Sequence, residues 1–473
     1  MKGLNRNILK LALPSILANI TVPLVGMVDI AVVGHLGTQA VRDGLTTAAL
    51  IGGISVGSML FDLLYWNFAF LRSGTGGLAA QAFGRYRKAE EMGNGIARDK
   101  ALRDSADVFS RALFISIFAG FFLIMVQWLI LQAAFLVVDC SPEVRLLAER
   151  YFEIRIWAAP ATLSLFAFKG WFIGMQDTVS AMVSDLIVNG VNILLSITLA
   201  FAAGMGFDGV AFGTVIAQWT GFFFSTGVVF VKYRPMVFTD YRLRDAVHAV
   251  RVDTKGFFSM NADLMVRSLG MIAVYIGFTV LSARFGDALL AASTILMKLL
   301  MFFSFFTDGF AYAGEALTGK FIGMRDPGMV RRTIRATFTW SMSIVGGFMV
   351  LYGLLGVPMV RMMTSDEAVV EACRPFLPWL LLMPLIGCPA FTWDGIFIGA
   401  TRTRPMRDCS LVAAAGFFLT WVLLTKLAGP LDGNLPVHYL MAAYFVHLLI
   451  RTLWLTATSG RIYSETGIGR PLQ

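Results

Sequence analysis

The sequence predicts an all-α polytopic membrane protein. Twelve transmembrane helices are expected, in two pseudo-symmetric six-helix lobes around a central cavity. Three observations predict it. Apolar runs of about 20 residues or more, each enough to cross a hydrocarbon core about 30 Å thick, recur from end to end. The basic residues gather in alternate loops. Two segments, 151–178 and 376–403, align at a constant offset. The composition agrees, because 57% of the 473 residues are hydrophobic and only 15% are charged, against about 25% charged in soluble domains. A soluble core cannot absorb so many long runs, and the strict alternation of a membrane β-barrel is absent.

Taken in order, the runs place spans near 8–34, 46–84, 108–135, 143–174, 178–203, 208–231, 256–284, 287–322, 333–360, 366–400, 404–428 and 435–459. The loops between them are short except at 85–107 and 232–255, which are polar. The first run follows a basic start but continues past Gly26 with no small-residue cleavage pattern, so it reads as a retained span rather than a signal peptide. Ser141-Pro142-Glu143 and Ser365-Asp366-Glu367 supply caps and first-turn acids for the spans that follow them.

The net charge of +9 would suit a nucleic-acid partner, but its distribution follows topology. Arg85, Arg87, Lys88, Arg98, Lys100 and Arg103 follow the second span, and Lys232, Arg234, Arg242, Arg244, Arg251 and Lys255 lie in the middle loop. The alternate loops hold only scattered cations, among them Arg42, Arg145 and Arg150. The positive-inside rule then puts both termini and the heavy loops in the cytoplasm, in an inner (plasma) membrane, with no nucleic-acid partner. Four cysteines without CxxC or Cys/His spacing read as free thiols, and four histidines form no HExxH. No metal site is expected, and the absence of GxxxxGK[ST] removes a nucleotide-driven pump.

The repeat sets the domains. Gly170 meets Gly395, Gly174 meets Gly399, Phe166 meets Phe391 and Thr178 meets Thr403, with a weaker echo between 76–85 and 315–325. Six spans per half make these parallel repeats, an N-terminal lobe over 1–240 and a C-terminal lobe over 241–473, suited to rocking around a shared cavity.

Polar residues within the spans mark the candidate site. Asp29 lies in PLVGMVDIAVVGHLG, two turns after Pro23, where the helix is expected to bend or break. A carboxylate at membrane depth costs about 2.5–3.5 kcal/mol on insertion scales unless protonated, paired or facing water. Asp185, Asn189, Asn192 and Ser196 fall on one stripe of the fifth span, and Ser15, Asn19, Gly26 and Asp29 line a similar face of the first. Such stripes turn inward, either to build a pocket or to hold helices together. In the second half Asp308 and Glu315 share a face of the eighth span, and Asp394 lies inside the tenth. Asp263 and Arg267, one turn apart, are expected to neutralise each other.

PLVGMVDIAVVGHLG, FLRSGTGGLAAQAFG (70–84), NILLSITLAF (192–201), MGFDGVAFGTVIAQ (205–218), DGFAYAGEALTG (308–319) and FTWDGIFIGATRT (391–403) together resemble the multidrug and toxic compound extrusion (MATE) family, in its DinF-like branch. The resemblance covers nearly the whole chain. It implies efflux of organic, usually cationic compounds or drugs in exchange for inward H+ or Na+, with no cofactor beyond that ion. It makes Asp29 the ion-coupling carboxylate and matches Asn192 and Thr214 to polar positions in the fifth and sixth helices. This chain departs from the pattern at Ser196, where many DinF-like members carry a second acid, so that acid is either missing or replaced by Asp185 about three turns nearer the cytoplasm. That departure favours a proton over Na+. A monomer is expected. The alternatives are a flippase for a lipid-linked precursor, which wants a basic cavity, and an intramembrane enzyme, which wants a second acid or metal set near Asp29.

Overall fold

The computed structural model describes residues 2–36, 46–136, 138, 140–238, 241, 243–251, 254–364, 366–427 and 433–462. Among the described residues there is no strand, and twelve helices are long and apolar enough to cross a membrane. They are α1 (Gly3–Gly34), α2 (Thr47–Glu91), α3 (Gly95–Met125), α4 (Pro142–Gly174), α5 (Thr178–Ala202) and α6 (Gly206–Tyr233). Then come α7 (Gly256–Phe285), α8 (Leu289–Gly323), α9 (Pro327–Met363), α10 (Glu367–Gly399), α11 (Thr403–Lys426) and α12 (Leu435–Thr458). Large apolar side chains such as Phe118, Phe121, Met125 and Trp128 stand exposed on the bundle. In water that surface would be an aggregation liability, and in a bilayer it is the lipid face.

The structure corrects the long polar loop expected at 85–107. Helix α2 runs on to Glu91 and α3 starts at Gly95, so only a tight turn separates them, with Gly93 at φ +66°. Charged side chains on these extensions pair with each other, as Arg85 does with Asp104 and Arg87 with Glu90. The polar sequence lowers hydropathy without lowering helix propensity, because Arg, Lys, Glu and Ala are all good helix formers. A short helix (Leu243–Arg251) likewise occupies part of the 232–255 stretch, and Arg111 of α3 donates to the Ala249 carbonyl at 2.9 Å. Helix α1 is not broken at Pro23; it stays helical throughout its length. Ser141 Oγ caps α4 by accepting from the Val144 amide, and Asp366 caps α10 by accepting from Ala368. Ser365, Arg42 and Arg242 lie outside the described residues. All four cysteines are free.

Contacts divide the chain into two units, Leu17–Lys255 and Met1–Ile16 with Gly256–Gln473. The second unit holds the start of α1 because α8 offers it a glycine notch. A Cβ on Gly309 would come within 2.3 Å of Ile16 Cγ1 and 2.9 Å of the Ala12 carbonyl. Its core is aromatic and aliphatic, with Phe303, Phe376, Phe417 and Leu440 fully buried. Among the described residues the first unit shows two such clusters. One is centred on Phe61, Tyr151 and Phe152, the other on Phe109, Phe168 and Trp171.

The sequence repeat is a repeat of packing. In the first unit Gly170 and Gly174 of α4 lie against the backbone of α2, where added Cβ atoms would reach the Arg72 and Gly76 carbonyl oxygens at 2.1 and 2.6 Å. In the second, Gly395 and Gly399 of α10 lie against α8 in the same way, 2.0 and 2.3 Å from the Ala311 and Glu315 carbonyls. Small residues let helix backbones approach where no water is available to drive them together. Each of these helices ends in a turn with a non-glycine residue at positive φ, Gln176 at 62° and Thr401 at 54°. The turn after Gln176 is tied down by Asp177, which accepts from the Ser180 amide, from Lys232 Nζ at 2.7 Å and from Tyr233 Oη at 2.7 Å.

Replacing Gly395 with Ala should cost about 1–3 kcal/mol, because the colliding atom is backbone and cannot turn aside. Gly346→Ala, where a Cβ meets nothing within 4 Å, should be neutral or stabilising. Thermal melts of the two variants in detergent check the contrast. A second outcome concerns pH. Burial alone would raise the Asp177 carboxyl, but the bonds from Lys232, Ser180 and Tyr233 and the Lys232 charge hold it below the usual carboxylate range. A depressed folded-state value stabilises above the unfolded value of about 3.9 and loses that contribution as pH falls through the lower one. Asp177→Asn should therefore lower the melting temperature at pH 7 and flatten its fall below about pH 4.

Candidate functional site

The polar stripe of α5 is real and faces inward, but its members go to different partners. Ser196 Oγ, fully buried, donates to Asp29 Oδ1 at 2.9 Å, joining α5 to α1. One turn earlier Asn192 Nδ2 donates to Thr214 Oγ1 of α6 at 2.8 Å, and Thr214 passes its own proton to the Val210 carbonyl. Asn192 Oδ1 is buried and has no hydrogen-bond partner among the described residues. Asn189 Nδ2 donates to Thr21 Oγ1 of α1 at 2.7 Å. Three helices therefore meet through hydroxyls and amides around one buried carboxylate. Gly213 and Gly209 of α6 make this possible, since Cβ atoms there would lie 2.8 and 2.7 Å from the Ser196 and Ala200 amide nitrogens.

Asp185 does not join this cluster. It forms an ion pair with Lys169 of α4 at 2.7 Å, and eleven residues of helix, about 16 Å, separate it from Ser196. Asn19 is buried on α1 but lies ten residues before Asp29. Pro23, between them, is exposed.

Asp308, Glu315 and Asp394 belong to the other unit. Glu315 is fully buried and Asp308 partly so, both on α8. Asp394 of α10 is held between two guanidinium groups, Arg267 of α7 and Arg451 of α12. This corrects the expected Asp263–Arg267 pair. Asp263 instead pairs with Arg407 at 2.7 Å and accepts from Thr403 at 3.0 Å, both on α11. A pair one turn apart on a helix is worth only a few tenths of a kcal/mol, so carboxylates on neighbouring helices take precedence.

Sequence reading passed over one cation that the structure places in the first unit's polar interior. Arg155 of α4 donates to Tyr151 Oη at 3.1 Å and Ser58 Oγ at 3.5 Å, and its guanidinium stacks 4.7 Å above the Phe61 ring. The signal available was its position in the middle of an apolar span, next to Tyr151 one turn away. No group of three or more His, Cys, Asp or Glu residues capable of holding a metal ion occurs among the described residues.

Residues 99–198 and 264–425 match the MatE family model. The chain is 33% identical to the DNA damage-inducible protein F of Escherichia coli K12, over 94% of this chain and 90% of that one. It is 22% identical to a probable multidrug resistance protein NorM of Thermotoga maritima, over 98% and 91% of the two chains. Its fold matches that of a MATE protein crystallised in a bent conformation, with TM-score 0.80 over 98% of this chain and 97% of that one at 17% identity. A eukaryotic MATE transporter matches with TM-score 0.78 over 96% and 95% of the chains at 14% identity. The fold, the twelve spans and the family match over both halves agree: the chain belongs to the multidrug and toxic compound extrusion (MatE) family and is a multi-pass membrane transporter, not an enzyme.

Proposed function

We propose that the chain is a secondary active antiporter that exports organic, mostly cationic compounds in exchange for inward protons by alternating access. It would act as a monomer in the inner (plasma) membrane, with both termini cytoplasmic. The observation that carries this reading is Asp29: a carboxylate within a membrane span, bonded by the Ser196 hydroxyl and in no ion pair among the described residues. A group of that kind can take up a proton on one side of a membrane and release it on the other, whereas Asp185 and Asp394 are neutralised by Lys169 and by two arginines. Ser196 donates to the ionised carboxylate and accepts from the protonated one, so the cluster suits both states.

Na+ is the second reading, and one observation favours it. Asn192 Oδ1, buried without a hydrogen-bond partner among the described residues, adds an oxygen donor one turn from the Asp29–Ser196 pair. A flippase wants a basic cavity, and the interior cations Arg267 and Arg451 are instead engaged by Asp394.

Asp29→Asn keeps volume and hydrogen bonding but cannot titrate. The variant should insert and melt like the parent while pH-driven dye efflux falls to background; wild-type efflux would remove Asp29 from the mechanism. The driving force supplies a second check. One charge moved through 100 mV is worth about 2.3 kcal/mol, and one pH unit about 1.4 kcal/mol. For a monovalent cation leaving as one proton enters, the electrical terms cancel, leaving about tenfold accumulation per pH unit. Uptake of a monocationic dye into inverted vesicles should therefore follow a pH gradient, respond little to a valinomycin-set potential and proceed without Na+. Strong dependence on potential would require two or more protons, and an absolute Na+ requirement would select the second reading.

A further inference from the structure

We propose that a cleft between α7 and α8 of the second unit binds an amphipathic anion, with Lys298 as its counter-charge. The cleft has a volume of about 80 Å³ and belongs to a different unit from Asp29. The proposal stands on this cleft alone and does not depend on the antiporter reading. Lys298 follows Leu289 by nine residues, about 14 Å into α8, and is exposed there. An ammonium inside a membrane span is costly unless an opposite charge or water meets it. Among the described residues Lys298 takes part in no ion pair or hydrogen bond, whereas Arg267 and Arg451 of the same unit are both engaged by Asp394. The described acids nearest to it along these two helices do not reach it. Asp308 is ten residues further along α8, about 15 Å of helix. Asp263 lies twelve residues before Tyr275 on α7 and is bonded to Arg407 and Thr403.

The walls define the ligand. Phe278 and Met297, both buried, and Met301 supply an apolar, polarizable lining. Three hydroxyls complete it, and each has already given its proton to its own helix. Thr279 Oγ1 donates to the Tyr275 carbonyl at 3.1 Å, Ser282 Oγ to the Thr279 carbonyl at 3.2 Å and Thr294 Oγ1 to the Leu290 carbonyl at 2.8 Å. Their oxygens are left as acceptors, and the Lys298 ammonium is the charged donor of the cleft. A carboxylate or phosphate therefore fits against Lys298. Hydroxyl hydrogens of the same molecule fit against the three oxygens, and an alkyl or aryl body fits the lining. Thr279, Thr294 and Lys298 are exposed, so the cleft is open to entry. A helical side chain leans toward the N-terminal end of its helix, which turns the ammonium toward Thr294 and the α7–α8 turn. Two sources share this chemistry: the headgroup of an anionic phospholipid bearing hydroxyls, and a soluble amphipathic acid bearing hydroxyls.

The test uses the purified, delipidated full chain in dodecyl maltoside, titrated calorimetrically with hexyl glucuronide and with its neutral twin, hexyl glucoside. The parent should bind the glucuronide more tightly by about tenfold or more, the effect of one charge-assisted hydrogen bond. Lys298→Gln should lose that preference while its affinity for the glucoside stays unchanged, and Lys298→Arg should keep it. Absence of glucuronide binding by the parent, equal affinities for the two probes, or an unchanged preference in Lys298→Gln overturns the proposal. If Lys298→Gln does not fold, Thr294→Trp takes its place, since it keeps the charge and fills the cleft. Undiminished glucuronide binding in that variant overturns the proposal. Native mass spectrometry with added phosphatidylglycerol then separates the sources, and either result supports the site. Retention of the lipid by the parent and its loss in Lys298→Gln assigns a phospholipid. Equal retention by both, with the glucuronide preference lost in the variant, assigns a soluble anion.

Discussion

A charge placed in hydrocarbon must find an opposite charge, a hydrogen-bonding partner or water, and the arrangement of helices in this transporter follows from that constraint. Lys169 ties α4 to α5 through Asp185. Asp394 ties α10 to α7 and α12 through two arginines, and Asp263 ties α7 to α11 through Arg407. Removing one member of such a set would strand its partner, which is the costly outcome for buried ions. Against this background Asp29 is distinctive for the kind of partner it has. A hydroxyl serves both protonation states of a carboxylate, and an arginine serves only one.

The two units solve one packing problem with one device and then differ in charge. Gly170 and Gly395 each let α4 and α10 lie directly on a neighbouring backbone. The residue just before each glycine is ionic, Lys169 in one unit and Asp394 in the other, and each is met by the opposite sign. The repeat thus keeps backbone geometry and the need for pairing while inverting the sign. Backbone approach depends on the absence of a side chain and tolerates no substitute, whereas an ion pair works with either polarity.

The sequence by itself determined the class of fold, the twelve spans, the internal repeat and the polar residues of α1, α5 and α6. Each of these depends on local composition or on fixed spacing: apolar length, helical periodicity, a constant offset between glycines. It also singled out Asp29, since an acid among valines is conspicuous in one dimension. It placed the polar stretch 85–107 outside helix because hydropathy reports burial and not backbone conformation, and α2 and α3 continue through most of it.

The tertiary structure alone decided who pairs with whom. Nothing in the spacing told Asp185 from Ser196 as a neighbour of Asp29; Ser196 reaches it, and Lys169, sixteen residues before Asp185 on another helix, takes the other. Asp263 and Arg267 looked like a pair because they are one turn apart, yet α10 and α11 present each with a partner of opposite charge. Arg155 was legible only as a cation in an apolar span until Phe61, Tyr151 and Ser58 closed around it. Pairing energies in a bundle are set by distances between side chains on different helices, and those distances are fixed only when the helices pack.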